Sequence, residues 1–67
     1  MGVEIQQLRQ VVALAEHCSF VRAAEALHIS QPALSRSIQN VERNVGSELF
    51  RRGAAGVTPT ELGRLYI

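Results

Sequence analysis

The stretch from Ala23 to Val45 constrains the fold more than any other part of this chain. It runs Ala23-Ala24-Glu25-Ala26-Leu27-His28-Ile29-Ser30-Gln31-Pro32-Ala33-Leu34-Ser35-Arg36 and continues to Val45. Ser30 has the hydroxyl of an N-cap, and Pro32 sits in the first turn, where a missing amide donor costs nothing. Ile29 before the cap and Leu34 four residues after it form a hydrophobic staple. Leu34, Ile38, Val41 and Val45 then repeat at steps of four, three and four, which is a narrow core-facing stripe on a helix. At about 100° per residue, Pro32, Arg36, Gln39 and Arg43 fall nearly opposite that stripe, flanked by Ala33, Ser35 and Asn40. Gly46 ends the helix as a left-handed cap. His28 must turn the chain within very few residues, in a conformation that glycine adopts more easily, so it carries a little strain.

The flanking sequence supplies helices to pack against this one. A first helix is expected over Ile5–His17. Ile5, Leu8, Val12 and Ala15 recur at helical spacing, and Val11 and Leu14 widen the buried face. Glu4, Gln6, Gln7, Arg9, Gln10 and Glu16 take the other side, and His17 suits the negative end of the helix dipole. After a break at Cys18 and Ser19, with Ser19 as N-cap, a second helix covers Phe20–Leu27. Phe20, Ala23, Ala24 and Leu27 face inward, and the alanines let two helix axes approach closely. A short helix, a tight turn and a longer helix with a polar cationic outer face make a helix-turn-helix.

Beyond Gly46 the pattern changes. Leu49–Arg52 and Val57–Thr58 read as two very short strands around the loop Gly53-Ala54-Ala55-Gly56, a candidate wing that must lean on the helices to be stable. Pro59 ends it, and Thr60 caps a fourth helix from Glu61 onward. Leu62, Leu65, Tyr66 and Ile67 are apolar there and unpartnered. The expected fold is mainly α: a winged helix-turn-helix with a three-helix core, a small two-stranded wing and the start of a linker helix. Residues 1–59 form the domain, and 60–67 begin the linker.

Composition narrows what such a domain does. With 67 residues, 46% of them hydrophobic, the chain is one small domain and not a disordered tail. A core of this size supplies only a few kcal/mol, and a single cysteine rules out a disulfide framework. One cysteine and two histidines are also too few for a closed zinc site, so no metal or other cofactor is expected. The remaining support is association with a copy of itself or with a larger chain. The longest apolar run, Val11 to Ala15, is far short of a membrane span or a signal-peptide core, and a lone thiol suits a reducing cytosol. Net charge is only +1, but residues 31–52 carry Arg36, Arg43, Arg51 and Arg52 against Glu42 and Glu48. All seven cations are arginine, the better residue for forked contacts to phosphate and guanine. Weak overall charge means modest affinity for a single copy, so dimerisation matters. His17 and Cys18 are adjacent, but neighbours at a helix end rarely point at one another, and with no third orienting group no enzyme is expected.

The whole chain resembles the N-terminal DNA-binding domain of a LysR-type bacterial transcriptional regulator. The resemblance rests on Leu8 with Val11-Val12-Ala13-Leu14-Ala15-Glu16, Ser19-Phe20 and Arg22-Ala23-Ala24-Glu25. It continues through Leu27-His28-Ile29-Ser30-Gln31-Pro32-Ala33-Leu34-Ser35-Arg36, Ile38, Glu42, Gly46, Leu49-Phe50, Arg52, Gly56-Val57, Thr60 and Gly63. It implies a third helix that enters the major groove and a fourth that pairs with its counterpart in a homodimer or higher homo-oligomer of the full-length protein. It also implies a C-terminal domain, outside this chain, that senses a small-molecule effector, and a bacterial cytoplasm with its nucleoid as the setting. This chain departs from the family pattern at Val21, where a hydroxyl residue is common. It departs again at Ala54 and Ala55, near a wing tip that is often basic; Arg51 and Arg52 at the wing base are the candidates instead.

The expected base contacts in duplex DNA are Gln31, Pro32, Ala33, Ser35, Arg36 and Gln39. Arginine can fork onto guanine O6 and N7, glutamine can pair adenine N6 and N7, serine can serve base or phosphate, and proline or alanine can touch a thymine methyl. Arg22, Ser30, Arg43, Arg51 and Arg52 are expected at phosphates or in the wing, positioning the domain without reading sequence. Leu62, Leu65 and Tyr66 are the dimer residues of the linker helix. Two other readings compete: a helix-turn-helix module of a recombinase or sigma-like factor, with a continuous helix where the wing stands, and a helical protein-interaction domain using its arginine face on acidic partners.

Overall fold

A computed structural model describes residues 4–54 and 56–65. In chain order it contains α1 (Ile5–His17), α2 (Phe20–Leu27), α3 (Gln31–Val45), β1 (Phe50–Gly53), β2 (Gly56–Pro59) and α4 (Glu61–Leu65). The three long helices begin and end where caps and periodicity place them. The Ser19 hydroxyl accepts the Arg22 amide at 3.3 Å, and the Ser30 hydroxyl accepts the Ala33 amide at 3.2 Å. Each relieves one orphan donor at a helix start. Two junctions use left-handed residues other than glycine: Cys18 after α1, with φ 54, and the expected His28 after α2, with φ 60. In both, the backbone amide returns to the preceding helix, Cys18 to Leu14 and His28 to Glu25.

The core lies where the helices cross. Val11, Leu14, Leu34, Val41 and Leu49 are wholly buried, and Ala23 and Ala24 let α2 sit close against its neighbours. The α3 stripe packs as its spacing predicts: Leu34, Ile38 and Val41 are buried, while Val45 and Ile29 lean on the cluster.

Helix α1 is turned relative to the expected face. Val11 and Leu14 are its packing centre and not its margin, whereas Ile5 is 79% and Leu8 39% exposed. Gln10, expected on the solvent side, is buried and accepts the Ser37 hydroxyl from α3. The apolar arc of α1 is wider than the area its neighbours cover, so periodicity alone does not choose which half is buried. The Ser37 hydroxyl satisfies the Gln10 side-chain oxygen where it turns inward. The uncovered half, with Ile5, Leu8 and Val12, lines a shallow apolar groove together with Leu27 of α2.

The segment after Gly46 is an antiparallel hairpin and not a continuous helix, which removes the structural basis of the recombinase or sigma-like reading. Each strand reaches further toward the tip than expected, and Pro59 closes the ladder opposite Phe50. A residue without an amide donor is tolerated at such an end. Two close approaches fix the hairpin. Gly56, at φ 116, lies under the Cys18 carbonyl oxygen, which a Cβ would meet at 2.8 Å. A Cβ on Gly63 would overlap the Leu49 carbonyl oxygen, so α4 begins hard against the base of β1.

Candidate nucleic-acid interface

The exposed side of α3 carries the candidate residues in two groups. Gln31, Pro32, Ala33 and Arg36 stand exposed on its first two turns, and Gln39 and Arg43 continue the face toward the C-terminus. Ser35 is half-buried at the edge of that face. The Ser30 oxygen accepts the Ala33 amide, so what it has left for a phosphate is its hydroxyl hydrogen. Arg43 donates to the side-chain oxygen of Asn40 at 3.3 Å, one turn back along the helix. Arg22 is exposed on the first turn of α2.

Beside α3, a groove of about 490 Å³ separates the helix from the wing. Ser35, Gln39 and Glu42 form its helix wall, Arg51 and Arg52 its wing wall, and Phe20 lies among its lining residues. The structure thus gathers four predicted residues, Ser35, Gln39, Arg51 and Arg52, around one concave feature. Gln31, Pro32, Ala33 and Arg36 sit beyond that lining on the same helix, and neither Arg22 nor Arg43 lines the groove. At the wing tip Ala54 is exposed, while Ala55 lies outside the described residues.

Two functional details escape sequence reasoning. Glu42 is acidic among the arginines of residues 31–52, and its carboxylate is turned toward the wing. One oxygen, Oε2, accepts the amides of Leu49 at 2.9 Å and Phe50 at 3.2 Å. Its negative charge is therefore directed at two backbone donors, and the contact ties the first wing strand to α3. The residue spacing from Glu42 to Phe50 offers no local rule for this bond, since it depends on how the chain returns after Gly46. The second detail is Arg52, whose guanidinium lies over the Phe20 ring at 4.5 Å from its centroid. Strand alternation contains part of that signal: Phe50 is buried and Arg52 shares its face.

Helix α4 joins this assembly through Thr60. Its amide donates to the Leu49 carbonyl at 2.9 Å, its hydroxyl donates to the Glu48 carbonyl at 2.8 Å, and the same oxygen caps the helix by accepting the Gly63 amide at 3.0 Å. Of the expected linker residues, Leu62 leans on the core and Leu65 is 80% exposed, while Tyr66 lies outside the described residues. Among the described residues there is no group of histidine, cysteine and acidic side chains that could hold a metal, and no helix long and apolar enough to cross a membrane.

A three-helix core, a capped cationic third helix and a two-stranded wing define a winged helix-turn-helix protein. The profile of the family described as "Bacterial regulatory helix-turn-helix protein, lysR family" matches residues 5–64, and the chain belongs to that family. It is 55% identical over 64 residues to the SDS degradation transcriptional activation protein of a Pseudomonas species, covering 96% of this chain and 21% of that protein. It is 48% identical over 65 residues to the transcriptional regulator TfdT of Cupriavidus pinatubonensis, covering 97% of this chain and 28% of that one. The chain thus spans about a fifth to a quarter of the length of these two relatives. Among solved structures it superposes on the BenM DNA-binding domain in complex with catB site 1 DNA, with TM-score 0.90, 44% identity and coverage of 96% of this chain and 72% of that one. The CbnR DNA-binding domain in complex with DNA gives TM-score 0.89 at 34% identity, covering 96% and 74%.

Proposed function

We propose that this domain binds double-stranded DNA in a sequence-specific manner and serves a LysR-type transcriptional regulator. The observation that carries the reading is the α3 surface: two exposed polar turns around Arg36, set beside a groove whose far wall holds Arg51 and Arg52. The likeness to two domains solved on DNA supports it.

In this reading α3 enters the major groove, and Gln31, Pro32, Ala33, Ser35, Arg36 and Gln39 meet base edges. Arg36 has the reach and the fork for guanine. Arg22, Ser30, Arg43, Arg51 and Arg52 hold the phosphate backbone, with the wing arginines on the far side of the groove. Residues 1–59 are the reading domain, and the chain from Thr60 begins a linker helix whose Leu62, Leu65 and Tyr66 serve a homodimer. Two copies would read a roughly two-fold symmetric operator. Effector sensing belongs to a C-terminal domain of the whole regulator, catalysis has no part in it, and the bacterial cytoplasm is the compartment.

Selection of bound sequences from a random duplex library tests this directly. Enrichment of a short half-site, lost on Arg36→Ala, is the expected result. Absence of binding to any duplex, even at low salt where phosphate contacts are strongest, would overturn it in favour of an acidic protein partner.

A further inference from the structure

Arg52 is exposed at the base of the wing, yet its guanidinium does not hang free. It lies over the Phe20 ring at 4.5 Å from the centroid, within the range of cation–π attraction. The arrangement is imposed from both sides. Phe20 is the first residue of α2, placed by the Ser19 cap, and only 9% of its surface is exposed. Arg52 stands on the same strand face as buried Phe50 and pairs with buried Val57, so its stem leaves the hairpin on the core side. Arg51, one residue away, shares the opposite face with exposed Thr58.

A stacked guanidinium has its face on the ring and its N–H groups directed outward in the plane, free to fork onto an anion. Arg52 and Phe20 both line the groove beside Ser35 and Gln39. A long side chain held there has already lost much of the rotamer freedom that phosphate binding would otherwise remove.

We propose that Phe20 is a positioning residue for DNA binding: its ring holds the Arg52 guanidinium, edge outward, at the groove between α3 and the wing, ready for a backbone phosphate. The proposal rests on the reading of Arg52 as a phosphate contact. It assigns Phe20 a role beyond filling the core, and it separates the two wing arginines, with Arg52 pre-ordered and Arg51 not.

Two measurements on the whole 67-residue chain test it. In the free protein, the Arg52 side-chain δ protons are expected upfield of ordinary arginine values by the ring current of Phe20, and ordinary values would overturn the stacking. The second is a double-mutant cycle on affinity for a fluorescein-labelled mixed-sequence duplex at low ionic strength, with thermal melts to show which variants are folded. Phe20→Leu is expected to weaken binding about two- to fivefold with Arg52 present and to add nothing to Arg52→Ala, while Phe20→Tyr keeps the parent affinity. Equal weakening by Phe20→Leu in both backgrounds would make Phe20 a core residue only. If Arg52→Ala itself leaves affinity and its salt dependence unchanged, the phosphate reading of Arg52 fails, a result distinct from failure of the stack.

Discussion

Removing the Glu42 carboxylate should unfasten the start of β1 from α3 and cost the domain a large share of its stability. The perturbation is Glu42→Ala, with Glu42→Gln as the graded control. In the folded chain one carboxylate oxygen accepts two backbone amides, Leu49 at 2.9 Å and Phe50 at 3.2 Å, in a half-buried setting. A hydrogen bond to a charged group contributes about 1.5–3 kcal/mol net. Because both donors share one oxygen, the pair counts as one strong bond and a weaker companion, so about 2 kcal/mol is a fair expectation for alanine. Glutamine keeps an acceptor without the charge and should lose about half as much, since a neutral bond contributes about 1 kcal/mol. At about 0.05–0.15 kcal/mol per residue, a 67-residue domain has roughly 3–10 kcal/mol in all, so the alanine variant gives up a substantial fraction. In a domain this small each kcal/mol moves the midpoint by about 4–8 °C, so the expected fall is about 8–16 °C. Urea unfolding followed by circular dichroism measures the free energy, and hydrogen exchange at the Leu49 and Phe50 amides localises it. Both variants within about 0.3 kcal/mol of the parent, with those two amides still protected, would refute the clamp, because surface changes normally fall within about 0.5 kcal/mol.

Three further outcomes follow from the same structure. Arg36→Ala should leave the melting temperature unchanged, since Arg36 is exposed, and should reduce discrimination between a selected site and a point variant by about 1–3 kcal/mol in competition assays. Gly63→Ala should destabilise by about 1–3 kcal/mol in urea unfolding, because the added carbon overlaps the Leu49 carbonyl oxygen and must push α4 off the base of β1. His28→Gly should raise the urea midpoint modestly: relief of a left-handed residue at φ 60 contributes about 1–2 kcal/mol, and glycine's greater unfolded freedom takes back about 0.5–1 kcal/mol.

The legible parts of this fold are those governed by neighbours in sequence. Ser19 and Ser30 announce helix starts because a cap acts within three residues, and the Leu34–Ile38–Val41 stripe announces its buried face because α3 has only one narrow apolar side. The candidate residues on α3 were readable for the same reason, as the complement of that stripe. Helix α1 was misread because its apolar arc is broad, and only the placement of Ser37 on another helix shows that Gln10 turns inward. Glu42 and the Phe20–Arg52 stack were invisible for a related reason. Each joins groups whose meeting depends on the path of the chain after Gly46, which no local periodicity records.

The hairpin is fastened to three different helices. Its first strand is tied to α3 through Glu42, its second to the end of α1 through the Val57 amide and the Cys18 carbonyl at 3.1 Å, and its root to α4 through Thr60 and Leu49. With three separate ties, its base cannot swing about any one of them. The root of the wing must therefore travel with the helical body as one piece. Lengthening or shortening the two strands would change how far the wing extends from the body, while the angle at which it leaves the body would stay the same.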